Sequence, residues 1–182
     1  SAGYAYIEEI IGNLTETARA LSRQDRAREI VAQYEARVKE LSGRLAKAGL
    51  ADKPVTTVRL AGNANYSLRI GTSESIAFRA LGMAQPEGQQ DPEVFSIRLS
   101  LENLNVLNAA HTVFLYADDN ASAEYDAITQ NPVWLGLEPV RANRVHRVTS
   151  SVWNSKDIVG LMYILDDIER YFIAPVESQR SS

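Results

Sequence analysis

The residue types that most often carry chemistry are sparse in this chain and poorly spaced. There is no cysteine, which removes disulfides, thiolate zinc sites, iron–sulfur clusters and thiol nucleophiles together. His111 and His146 are the only histidines. They lie far apart in the chain, outside any H-x-x-x-H arrangement that would set two imidazoles on one helical face for a metal, so both read as structural residues. Gly71-Thr72-Ser73-Glu74-Ser75 has the outline of a nucleophile elbow but lacks the second glycine, and Ser73 reads as a helix cap instead. Asp118 and Asp119 directly follow an apolar run, where ligands approach an open α/β sheet, yet adjacent carboxylates in such a loop are ordinarily solvated turn formers. No glycine-rich phosphate loop follows any expected strand. The chemistry left is that of binding, through arginines and aromatics near strand ends. No set of acid, base and nucleophile accompanies them, so no enzyme, cofactor or metal site is expected.

The elements that must position these side chains follow from hydrophobic periodicity. Ile7, Ile10, Ile11, Leu14, Ala18 and Leu21 recur at helical spacing, as do Ala27, Ile30, Val31, Tyr34, Val38, Leu41 and Leu45. Ser22-Arg23-Gln24-Asp25 resembles a capping box, so two helices are expected to meet near Ser22. Val55 to Ala61 and Tyr66 to Ile70 then read as strands around the turn-prone Gly62-Asn63-Ala64-Asn65. A short helix is expected from Ser73 to Gly82, a surface loop from Gln85 to Glu93, and an extended piece from Phe95 to Leu99. Ser100 should cap a helix bearing Leu101, Leu104 and Leu107. Thr112 to Tyr116 reads as a buried strand, Ala121 to Gln130 as a helix, and Arg144 to Thr149 as a strand. Trp134 falls in an irregular stretch between Pro132 and Pro139, and Ile158 to Phe172 carries a last helical stripe. Strands alternating with helices predict a three-layer αβα lobe with a mostly parallel central sheet.

Composition agrees with one folded unit. The chain has 182 residues, 45% hydrophobic and 23% charged, with 19 Lys and Arg against 23 Asp and Glu for a net charge of −4. That excludes a disordered or collagen-like chain, and the interspersed charges give no basic face for nucleic acid. No apolar run reaches the roughly eighteen residues of a membrane span, and Ser1-Ala2-Gly3-Tyr4 lacks the pattern of a signal peptide. The chain therefore reads either as a cytosolic protein or as a mature or truncated piece of an exported one.

Several segments, in order, resemble the carboxy-terminal lobe of a helical-backbone (class III) solute-binding protein of an iron-siderophore ABC transporter. They include Leu21-Ser22-Arg23-Gln24-Asp25-Arg26-Ala27, Tyr34-Glu35-Ala36-Arg37, Thr57-Val58-Arg59-Leu60, Leu81-Gly82-Met83-Ala84-Gln85-Pro86 and Ser100-Leu101-Glu102-Asn103-Leu104. The most specific part is the tail, with Asn131-Pro132-Val133-Trp134, Val140 to Val148, Trp153 and Ile164-Leu165-Asp166-Asp167-Ile168. The likeness runs over residues 5–172. It departs after Trp153, where Asn154-Ser155-Lys156-Asp157 replaces a glycine-rich approach to the last helix.

In such proteins two lobes joined by a long helix hold the ligand between them. The resemblance implies that residues 1–50 form the connecting helix and the helix after it, 51–174 the lobe and 175–182 a tail. It also implies a product at the periplasmic or extracellular face of the cell membrane, lipid-anchored through a missing N-terminal segment. A monomer that takes a ferric siderophore and passes it to a membrane permease is the expectation. Arg59, Arg69, Tyr116 and Trp153, near strand ends or loops, are the candidate ligand contacts. Glu102 matches the family's surface glutamate that docks onto the permease; its other reading is an acidic residue in the first turn of a helix capped by Ser100. Haem and cobalamin carriers share the scaffold, and a self-contained intracellular α/β enzyme or regulatory domain is the reading from another class.

Overall fold

The structure, a computed structural model, describes residues 2–180. Helices α1 (Ala2–Ala20) and α2 (Gln24–Lys47) open the chain, and they part at Ser22, whose φ of 53° lies in the left-handed region. The expected capping box does not form. Arg23 occupies the cap position of α2 without a side-chain hydrogen bond, and Asp25 pairs with Arg28 one turn on. The turn is held instead by the Arg23 amide, which donates to the Ala18 carbonyl at 2.7 Å.

The strands are β1 (Val55–Ala61), β2 (Asn65–Arg69), β3 (Ser96–Leu99), β4 (Thr112–Ala117) and β5 (Val145–Arg147), and they form one sheet in the order β3-β2-β1-β4-β5. The sheet is mixed. Pairing is parallel through β1, β4 and β5, as the alternation of strands with helices predicts, and antiparallel through β1, β2 and β3. The antiparallel half starts from the tight turn between β1 and β2, where Asn63 and Ala64 both adopt positive φ.

Register sorts the strand residues onto two faces. Thr57, Arg59, Arg69, Phe114 and Tyr116 share one face, covered by α2, α3 (Ser73–Leu81) and α8 (Ile158–Ile168), whose Leu41, Leu45, Phe78, Leu161 and Leu165 belong to the same core. Val58, Leu60, Leu68, Val113 and Leu115 share the other, against α4 (Ser122–Thr129), α5 (Pro132–Gly136) and a 3-10 helix (Leu104–Ala109). Helix α6 (Glu138–Arg141) then leads into β5, and α7 (Ser150–Trp153) leads from β5 toward α8.

One expected helix starts late. The Asn103 side chain accepts the Ser100 amide at 2.7 Å, which turns the chain through Leu101–Asn103 and delays the 3-10 helix to Leu104. Ser100 is therefore no cap, and Glu102 stands exposed in a turn rather than in a helix's first turn.

The last helix ends in a wide π turn, Glu169–Ile173, followed by α9 (Ala174–Arg180). The stretch expected as a tail is helical as far as Arg180, and its last two residues lie outside the described ones. Polar contacts bind the end of α8, the π turn and α9 to α2. Arg37 reaches Glu169, and also Glu40 at 3.0 Å and Asp166 at 2.9 Å. Arg44 reaches Glu169, and also Glu177 at 2.7 Å. The Arg180 guanidinium donates to the Lys47 carbonyl at 2.7 Å. Burial alone would raise the Glu169 carboxyl, but hydrogen bonds from Arg44 and Arg37 outweigh it and hold the group below the usual carboxylate range. Among the described residues, no helix is long and apolar enough to cross a membrane.

Candidate functional site

Arg59 near the end of β1 and Arg69 at the end of β2 sit on the same sheet face and open into one hollow of about 190 Å³. Thr72, Ser73 and Glu74 at the start of α3, Phe95 before β3, and Asn154 and Lys156 from the loop before α8 complete its lining. Local chemistry fixes each wall. Gly71 must be glycine, since a Cβ there would meet the Pro92 carbonyl oxygen at 2.4 Å, and its amide donates to the Val94 carbonyl at 2.8 Å. That close approach lays the segment before Phe95 beside α3.

The loop at Asn154 to Asp157 is pinned from both sides. Ser73 does not cap α3, as its position before the apolar residues suggests; it is the first helical residue, and its hydroxyl donates to the Ser155 carbonyl at 2.6 Å. Ser155 in turn donates to Asp157 at 2.7 Å, and Asp157 caps α8 by accepting the Gly160 amide at 2.8 Å. The Gly160 amide and the Ser155 hydroxyl hold the Asp157 carboxyl below its ordinary range.

The two arginines have different surroundings. Arg59 makes a two-pronged pair with Asp118, at 3.1 and 2.7 Å, and the Ser150 hydroxyl joins Asp118 at 3.3 Å. The Arg59 hydrogen bond pulls the Asp118 carboxyl below its usual range, and Asp118 pushes Arg59 up. This pair links the hollow to a second, of about 410 Å³, lined by Ala117, Asp119 and residues 147–151.

Arg69 is only 6% exposed, yet its side chain makes no hydrogen bond with any described residue. Its Nε lies 3.5 Å from the Glu74 carboxylate, and its guanidinium carbon stands 4.5 Å from the centre of the Phe95 ring. Glu74, 1% exposed, accepts the Tyr116 hydroxyl at 3.0 Å.

Two of the four expected contacts therefore stand behind the site rather than in it. Tyr116 is fully buried, and burial with the adjoining Glu74 charge pushes its hydroxyl far above the ordinary tyrosine range. Trp153 is also fully buried. Its ring stacks on Phe114 at 4.7 Å, lies 6.2 Å from Phe78, and donates its N–H to Asp167 at 2.8 Å. Neither side chain has surface to offer a ligand.

The histidines are structural, as their spacing suggests. His111 bonds with the Thr112 hydroxyl at 2.9 Å and meets Phe172 edge-on, while His146 stacks on Tyr171 at 5.1 Å. Burial lowers the pKa of both, with Arg144 adding to the effect at His111. No group of three metal-ligating side chains occurs among the described residues. Thr72, Glu74, Phe95, Asn154 and Lys156 were not expected at the site. Thr72 and Glu74 flank Ser73 and Asn154 follows Trp153 in sequence, whereas no neighbour in the chain points to Phe95.

Comparison with known proteins places the chain in context. A family model described as periplasmic binding protein matches residues 2–152. A relative from Bacillus subtilis (strain 168), described as the probable siderophore-binding lipoprotein YfiY, is 29% identical over an alignment of 173 residues taking in 88% of this chain. The chain spans about half the length of that relative, 52%. The structure of the siderophore periplasmic binding protein from the fuscachelin gene cluster of Thermobifida fusca superposes with a TM-score of 0.74 at 25% identity, over 86% of this chain and 57% of that one. The iron-uptake system-binding protein FeuA from Bacillus subtilis superposes at 0.77 over 90% of this chain and 60% of its own, at 20% identity, a likeness of fold.

Proposed function

The chain belongs to the periplasmic binding protein family, and from that premise we propose that it is a carboxy-terminal lobe supplying one wall of a cleft that captures a ferric siderophore for an ABC importer. The basic hollow carries this reading. Ferric siderophore complexes are bulky, the catecholate ones anionic, and guanidinium groups and aromatic faces hold such complexes by their outer oxygens without displacing any from iron. Arg59 and Arg69, with Phe95 and Lys156 beside them, offer those groups together. At about 190 Å³ the hollow is smaller than the roughly 300–1,000 Å³ that encloses a ligand of this size, as befits one wall of two. Residues 1–50 would connect it to the second. A haem carrier fits less well, because Tyr116 is engaged by Glu74, and the two histidines pack on Phe172 and Tyr171, leaving no axial ligand in the hollow.

Tryptophan emission tests the reading, since ferric siderophores absorb where Trp134 and Trp153 emit. Titrating the full-length gene product with ferric siderophores should give saturable quenching at low concentration, while the 182-residue chain should respond weakly or not at all. Tight, saturable quenching of the chain alone overturns the two-wall cleft.

Delivery to a permease is assigned to Glu102, on a lobe that works as a monomer at the outer face of the cell membrane. Its carboxylate is exposed and has no partner among the described residues, and its place in a turn withdraws the helix-dipole alternative. Charge reversal by Glu102→Lys should leave melting temperature and siderophore affinity unchanged and impair transporter-dependent uptake. Normal uptake by that variant removes Glu102 from docking.

A further inference from the structure

Arg69 is unusual for a charged side chain at 6% exposure, because its Nε is buried without an acceptor and its guanidinium, with five N–H donors, makes no hydrogen bond to a described residue. Glu74 neutralises its charge from 3.5 Å without a hydrogen bond, through the same oxygen, Oε1, that accepts the Tyr116 hydroxyl. Beside Arg69 in the same hollow, the Thr72 hydroxyl is buried and also unpartnered. Thr72 occupies the cap position of α3, but its side chain does not cap, so it brings the helix no acceptor. Two side chains with an unpartnered buried donor and the positive end of a nine-residue helix thus line the same hollow. Around them Arg59, Arg69 and Lys156 face Asp118 and Glu74, which leaves one positive charge unbalanced.

Resting on the siderophore reading of the hollow, we infer that Arg69 and Thr72 form a subsite for a carboxylate, and hence that the cargo belongs to the carboxylate-bearing class of ferric complexes. The reason is geometric. A carboxylate presents two coplanar oxygens that match the parallel N–H pair of a guanidinium, with a lone pair left for the Thr72 hydroxyl. The oxygens of a hydroxamate or catecholate are each bound to iron, so they accept only through their remaining outward lone pairs and offer no free coplanar pair, and a neutral tris-hydroxamate complex leaves the unbalanced charge unanswered.

The subsite can be read on the chain itself by following the arginine side-chain Nε–H and backbone amide resonances during titration. Citrate is the probe, with acetohydroxamate, catechol and sodium chloride at matched concentration as controls. Citrate should shift the Arg69 Nε–H and the Thr72 and Ser73 amides saturably, with little response to the controls. Arg69→Lys, which keeps the charge and loses the fork, should weaken citrate at least tenfold. Thr72→Val should weaken it several-fold at unchanged melting temperature. Equal shifts from chloride or acetohydroxamate, citrate shifts mapping elsewhere, or an unaltered citrate response in both variants each overturn the subsite.

In the full-length gene product, a carboxylate-bearing ferric complex should bind at least tenfold tighter than a neutral tris-hydroxamate. The reverse order, insensitive to Arg69→Lys, overturns the class while siderophore capture stands. If no ferric complex binds but the citrate shifts persist, the carboxylate subsite stands and siderophore capture falls.

Discussion

Replacing Trp153 with alanine should cost about 3–5 kcal/mol of folding stability, the scale of deleting a large aromatic from a core that cannot collapse behind it. The ring is fully buried, stacked on Phe114 and flanked by Phe78, so truncation strips the packing of α7 against both β4 and α3. Its N–H bond to Asp167 adds less, because Asp167 is half-buried and water can replace the donor. Trp153→Phe keeps the stacking and loses the donor, so it should cost roughly 1–2 kcal/mol and stay folded. Urea denaturation separates these, as lower midpoints at unchanged slope. A loss below about 1 kcal/mol for Trp153→Ala would contradict the packing role. A folded Trp153→Phe protein that loses siderophore affinity tenfold would return the residue to the ligand wall.

Trp153 also shows where reading from sequence runs out. The strand at Thr112 to Tyr116 and the β1–β2 turn are local, carried by a compact apolar run and by turn residues, and the break between helices falls at Ser22 as expected although the capping box that suggested it does not form. Which face of a strand meets solvent at its end is not local. Tyr116 and Trp153 lie beside strand ends in the chain, but α3 and α8 close over them, and only packing between distant segments decides that. The same limit hides Glu74. In sequence it is an acidic residue in a helix's first turn, ordinarily solvated and helpful to the dipole, whereas in the fold the start of α3 lies against Arg69 and buries it. Ser100 failed as a cap for a nearer reason: Asn103, three residues on, took its amide. Arg59 and Arg69 were legible as neighbours once β1 and β2 were recognised as a hairpin, because both lie on one face of it.

Glu74 carries the second large effect. Glu74→Leu leaves a guanidinium 6% exposed with no counter-charge and the Tyr116 hydroxyl with no acceptor, and should cost about 3–5 kcal/mol, as removal of one member of a buried pair does. Tyr116→Phe removes only a hydrogen bond to a charged acceptor and should cost about 1.5–3 kcal/mol. The pair itself is a different matter. Desolvating two charges offsets most of their attraction, so the double replacement Glu74→Leu with Arg69→Met should recover most of the stability that Glu74→Leu loses. Denaturation of the two single variants and the double closes the cycle. Additive losses would mean that Glu74 and Arg69 do not act on each other, and would remove Glu74 as the group that holds Arg69 in place. Recovered stability in the double variant, with siderophore affinity lost from the full-length gene product, would show what an ion pair lacking a hydrogen bond is kept for. Glu74 would then hold a cation ready under the hollow, its donors left open for the ligand.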